Sequence, residues 1–127
     1  MVFNIDTVPE KYFHQLIEVL KVFAPFNNLR KRQREVFAEI LYYNHKFSGN
    51  EQDVTDRLVF DFKTREEISE RLKITKANLY NIYKELRQVG LILKEKDAIN
   101  PKFRYKYMQY QRIEFVFKTK DTAQSKI

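Results

Sequence analysis

The chain has 127 residues, 43% hydrophobic and 15% aromatic, with no cysteine and a formal charge of +7. That length predicts one domain able to bury a core without staples, and the composition excludes a disordered chain. The missing cysteines exclude disulfides, thiolate zinc sites and cysteine nucleophiles, and fit a reducing cytosol.

Thr7-Val8-Pro9-Glu10 has the form of a capping box with proline in the first turn. Phe13, Leu16, Ile17, Leu20, Phe23 and Ala24 then recur at helical spacing, which predicts a helix over about 8–24. Pro25 and Asn27-Asn28 open a turn, and a second helix is expected over about 29–46, its apolar stripe built from Val36, Phe37, Ile40, Leu41 and Phe47. The front of that helix carries Arg30, Lys31, Arg32 and Arg34. Cations oppose the positive end of a helix dipole, so either the helix starts later or these side chains meet an anion.

Residues 48–57 are polar and read as a loop, and the alternation of LVFDFK predicts a short strand over 58–63. Thr64-Arg65-Glu66-Glu67 reads as a second capping box starting a short helix that buries Ile68 and Leu72. Ile74 plugs the following turn. Thr75 caps a helix that runs to about Gln88, with Leu79, Ile82, Tyr83 and Leu86 on its apolar face and Gly90 as its stop. LILKE (91–95) and FRYKY (103–107) alternate on either side of KDAINPK and read as a β-hairpin with a basic tip. RIEFVFK (112–118) alternates again and predicts one more strand, followed by a polar tail.

TREEISERLKITKANLYNIYKELRQVGLI resembles the winged helix-turn-helix family of DNA-binding proteins. The resemblance is strongest over 64–93 and extends over 30–107, with VFAEILYYNHKF, VFDFK and the 91–107 hairpin filling the places of first helix, short strand and wing. One departure stands at Lys73, where the family often has glycine because the turn favours positive φ; lysine there costs on the order of 1 kcal/mol. The resemblance implies an α+β fold, mainly helical: a winged helix-turn-helix over 29–110, an extra N-terminal helix within 1–28, and a C-terminal strand and tail over 111–127. The N-terminal helix either packs on the domain or builds a homodimer.

The implied function is binding of double-stranded DNA, as a small transcription regulator. The 76–88 helix would then be the recognition helix, with Ala77, Tyr80, Asn81 and Lys84 reading base edges; Asn81 suits an adenine edge. Backbone contacts would come from Arg30, Lys31, Arg32, Arg34, Thr64, Arg65 and Lys76, and wing contacts from Lys94, Lys96, Lys102, Arg104 and Lys106. Residues 94–127 carry +5 of the net charge, and a basic field favours a polyanion. Two alternatives accompany this reading: a DNA-binding component of a phage- or plasmid-type replication or packaging machine, and a protein-interaction or virion-assembly module on the same fold. The bland reading of each polar face is solvation, and of the row Phe103, Tyr105, Tyr107 plain packing rather than a base-stacking platform.

No enzyme is expected. His14 and His45 are the only histidines and sit on separate helices without a second ligand at metal spacing, and two glycines, Gly49 and Gly90, cannot make a phosphate loop. No cofactor or metal follows from the residues. The start lacks the pattern of a signal peptide, and no stretch approaches the ~18 apolar residues of a membrane span, so a cytoplasmic protein is expected (host cytoplasm if phage-encoded).

Overall fold

The computed structural model describes residues 7–108, and the backbone alone of 2–5 and 111–114. Five α-helices dominate: α1 (Pro9–Leu20), α2 (Lys31–Lys46), α3 (Gln52–Val59), α4 (Phe62–Leu72) and α5 (Lys76–Gln88). Helix α2 is the axis of the fold. Val36, Phe37, Ala38, Ile40, Leu41 and Tyr43 are buried on nearly every side of it, because α1, α3, α4 and α5 all pack against it. Helix α1 buries Tyr12, Phe13, Leu16 and Ile17 on α2, so its apolar face is used inside the chain.

The expected α+β winged architecture is corrected: the described residues are mainly helical and form no wing. The hairpin expected over 91–107 reduces to one isolated bridge, Ile92 with Ile99. Pro101 has no N–H to extend a ladder. Asn100 diverts the chain, accepting from the Lys102 amide at 3.1 Å and donating to the Gly90 carbonyl at 2.8 Å. A 3₁₀ turn, Pro101–Phe103, follows. The alternation of Phe103, Tyr105 and Tyr107 is spent on helices: Phe103 and Tyr105 pack on Phe26, and Tyr107 meets Tyr12 edge-on at 5.1 Å. Of the C-terminal strand expected over 112–118, only Gln111–Glu114 is described, as a four-residue antiparallel pairing with Val2–Ile5, and 115–127 lie outside the described residues.

Of the loop expected over 48–57 only 48–51 stands; Gln52–Val59 is α3, and the strand expected over 58–63 is instead the end of α3, a turn at 60–61 and the start of α4. Thr55 and Asp56 are buried polar residues of α3; the Thr55 hydroxyl donates to the Phe47 carbonyl at 2.8 Å and Gln52 donates to Asp56 at 2.9 Å. Asp61, not Thr64, caps α4, accepting from the Thr64 amide at 2.9 Å. At the front of α1, Val8 is the cap residue and no side chain caps the helix.

Three features of the α4–α5 unit follow the sequence closely. Lys73 adopts φ 55°, ψ 49°, and the Ile74 amide reaches back to the Ser69 carbonyl, a Schellman stop with lysine in the left-handed position. The Thr75 side chain accepts from the Asn78 amide at 3.1 Å and starts α5. Gly90 takes φ +89° and ends it, with the Leu91 amide bonded to the Leu86 carbonyl.

Candidate nucleic-acid interface

Helix α5 buries Leu79, Ile82, Tyr83 and Leu86 and turns Ala77, Tyr80, Asn81, Lys84 and Gln88 outward as one exposed face. The spacing of three and four residues accounts for both faces. Helix α4 lies behind α5, joined by the three-residue turn 73–75, and is itself pinned to α2. Tyr80 is 59% exposed, with the Lys84 ammonium 5.6 Å from its ring centroid. Lys76 stands at the front of α5, paired with Glu66 at 3.2 Å and 4.8 Å from the exposed ring of Phe62.

The cations at the front of α2 do meet anions, but those of the chain itself. Arg30 donates to Glu85 on α5 at 2.7 Å, and Gln33 shares the same carboxylate oxygen at 2.9 Å. Arg32 pairs with Glu35 on its own helix. Arg34, its side chain 15% exposed, holds Glu18 of α1 at 3.0 Å and the Leu29 carbonyl at 2.7 Å. Its charge serves the α1–α2 joint rather than a surface. Lys31 is exposed. Thr64 leaves the set of backbone contacts: it is buried, and its hydroxyl donates to the Leu58 carbonyl at 2.6 Å.

With no wing, the five basic residues assigned to one are dispersed. Lys94 joins Lys84, Arg87 and Gln88 around a shallow hollow beside the end of α5. Lys96 lies by Asp53, Asp56 and Arg57 on the α3 side. Lys106 lies near Asn44, His45 and Ser48 at the far end of α2. Lys102 is exposed beside the 3₁₀ turn. Arg104, its side chain 19% exposed, is structural; it donates to the Ile99 carbonyl at 2.9 Å and stands 3.8 Å from Asp56.

Two groups outside the sequence-derived set shape the surface. Arg87 folds the 93–98 loop onto α5 by donating to the Leu93 and Lys96 carbonyls and to Asp97 at 2.7 Å. Glu39, 2% exposed, sits at the centre of α2 and accepts from His14 Nε2 at 2.7 Å and from Arg71 Nε and Nη2 at 2.7 and 3.3 Å. Burial pushes the Glu39 carboxyl up, but the bonds from His14 and Arg71 outweigh it and hold its pKa below the ordinary value. The signal in the sequence was a lone carboxylate inside the apolar run Val36-Phe37-Ala38-Glu39-Ile40-Leu41, a position that demands buried partners.

Among the described residues Arg65, Lys76 and Glu66 line one hollow with Tyr80, and Lys84, Arg87 and Lys94 line another with Gln88; the one acid on α5, Glu85, is engaged by Arg30 and Gln33. No group of three or more His, Cys, Asp or Glu able to hold a metal occurs among the described residues, and no helix there is long and apolar enough to cross a membrane. Compared with protein-family models, curated proteins and solved structures, the chain matches none.

Proposed function

We propose that the chain binds double-stranded DNA through the exposed face of α5, as a small transcription regulator. One observation carries the reading: Ala77, Tyr80, Asn81, Lys84 and Gln88 share the outward face of a helix that is capped, stopped and braced from behind by α4. In a helix-turn-helix the first helix crosses the backbone and the second lies in the major groove. A bidentate amide at Asn81 suits an adenine edge, the methyl of Ala77 suits close approach to a thymine methyl, and Lys84 and Lys94 suit phosphates. Without a wing among the described residues, the contact centres on α5 and its flanks, so fewer phosphates are engaged there than a winged protein would reach.

The test is fluorescence anisotropy with a labelled random-sequence duplex over a salt series. Micromolar binding near 50 mM salt is expected, weakening linearly in log–log form with a slope of about −4, the value for about four phosphates neutralised. Absence of binding at low salt, where surface electrostatics are strongest, would remove the regulator reading.

A further inference from the structure

Among the described residues only two aromatic side chains are mainly exposed, Phe62 at 61% and Tyr80 at 59%. Rings are ordinarily placed where their large apolar area is covered, so two bare ones side by side ask for a partner. Both line the same hollow, a space of about 130 Å³ between the fronts of α4 and α5, completed by Arg65, Glu66, Lys76 and the buried Leu79. The hollow is apolar and opens to solvent. Each ring has an ammonium beside it. Lys76 Nζ stands 4.8 Å from the Phe62 centroid, and Lys84 Nζ stands 5.6 Å from that of Tyr80.

Size and charge limit what fits. A cavity of about 150 Å³ takes one benzene ring. This hollow therefore holds a single flat ring and is too small for the face of a helix. The acids around it are already engaged. Glu66 is paired with Lys76 at 3.2 Å, and Asp97, in the adjoining hollow that shares Arg65 and Tyr80, is paired with Arg87 at 2.7 Å. Arg65 and Lys84 are matched by no acid among the described residues, so the surroundings are positive. A flat ring tied to negative charge is the chemistry of a nucleotide. We propose that the hollow takes one unpaired base of a DNA strand, its ring against Phe62 and Tyr80 and its phosphates beside Arg65, Lys76 and Lys84. Stacking of bases on exposed aromatic side chains within a positive groove is how open strands are held. A base inside a duplex is stacked on both faces and must leave the stack to enter. That costs least where the base is already mismatched, bulged or single-stranded. This occupancy rests on the reading that DNA meets α5 and goes one step beyond it: the DNA carries an unpaired base.

The experiment is fluorescence anisotropy of the full chain with labelled duplexes of one sequence at one salt concentration: fully paired, with a single bulged thymine, and with an abasic nucleotide in the bulge. The bulged thymine should bind about tenfold tighter than the paired duplex, the effect of one base stacked on an aromatic ring. The abasic bulge keeps the phosphate and the bend but has no ring, and should lose that preference. Phe62→Ala and Tyr80→Ala should each bring the ratio close to unity. Both side chains are exposed, so the fold does not depend on them. Tyr80→Phe keeps the ring and should keep the ratio. Equal affinity for paired and bulged duplexes, or a preference that survives in both alanine variants or with the abasic bulge, would overturn the proposal. If the paired duplex binds as expected in that case, the regulator reading stands. Binding of the bulged duplex by a chain that binds no paired duplex would support the hollow's occupant and remove only the regulator reading. Binding to none of the three would overturn both.

Discussion

Glu39→Gln tests how the brace behind α5 is held. The carboxylate sits on α2 and accepts from His14 on α1 and Arg71 on α4, so three helices meet at one charge. Glutamine keeps the shape but turns an amide N–H₂ toward one of two donors and leaves the Arg71 guanidinium without its nearest counterion. Removing one partner of a fully buried pair costs about 3–5 kcal/mol. Arg71 is 35% exposed and keeps Glu10 at 3.6 Å, so solvent and that second carboxylate reduce the loss to about 2–3 kcal/mol. For a chain of this size that corresponds to a midpoint lower by about 10 °C. Thermal unfolding followed by circular dichroism at pH 7 reads it directly. The pH dependence supplies a second check with a definite sign. The folded-state pKa of Glu39 lies below the ordinary 4.5, so its contribution is present above that value and is lost as pH falls through the folded one. The gap between wild type and Glu39→Gln should therefore close below pH 4.5. A midpoint within about 2 °C of wild type at pH 7, or a gap that widens in acid, would refute the reasoning.

Two further outcomes follow from α5 and its turn. On a selected DNA site, Asn81→Ala should lose about tenfold or more in affinity while binding to random duplex stays unchanged, since a bidentate base contact is worth about 1–3 kcal/mol; anisotropy on both duplexes separates the effects. Lys73→Gly relieves a lysine held at φ 55° and should raise stability by about 0.5–1 kcal/mol, measured by urea unfolding; a loss of stability would mean the lysine side chain contributes more than its backbone costs.

Residues 74–90 were legible because every local rule agreed there. A hydroxyl cap, four apolar residues at helical spacing and a terminal glycine all point to one helix, and the outward face follows from the inward one. Helix α3 was hidden because its buried residues include Thr55 and Asp56, which reach the interior by hydrogen bonding rather than by apolarity. The start of α4 was misread by one turn because Thr64, though a good capping residue, is buried with its hydroxyl on Leu58, and Asp61 does the capping. The wing failed for a different reason. The alternation of Phe103, Tyr105 and Tyr107 marks one buried face, but that face packs on Phe26 and Tyr12 and not in a sheet. The candidate interface shows the same division. Exposure of Ala77, Asn81 and Lys84 follows from helical spacing alone. The engagement of Arg30 by Glu85 joins residues 55 positions apart, and that of Arg34 by Glu18 joins two helices, so neither could be read from local sequence.

The most direct test of the account is an NMR map of the surface a DNA duplex touches. DNA binding through α5 predicts that the amides of Ala77, Tyr80, Asn81, Lys84 and Gln88 shift together with those of the 73–75 turn and Lys94, and that α1 stays silent. Shifts centred on α1, or a map with no response along α5, would contradict it.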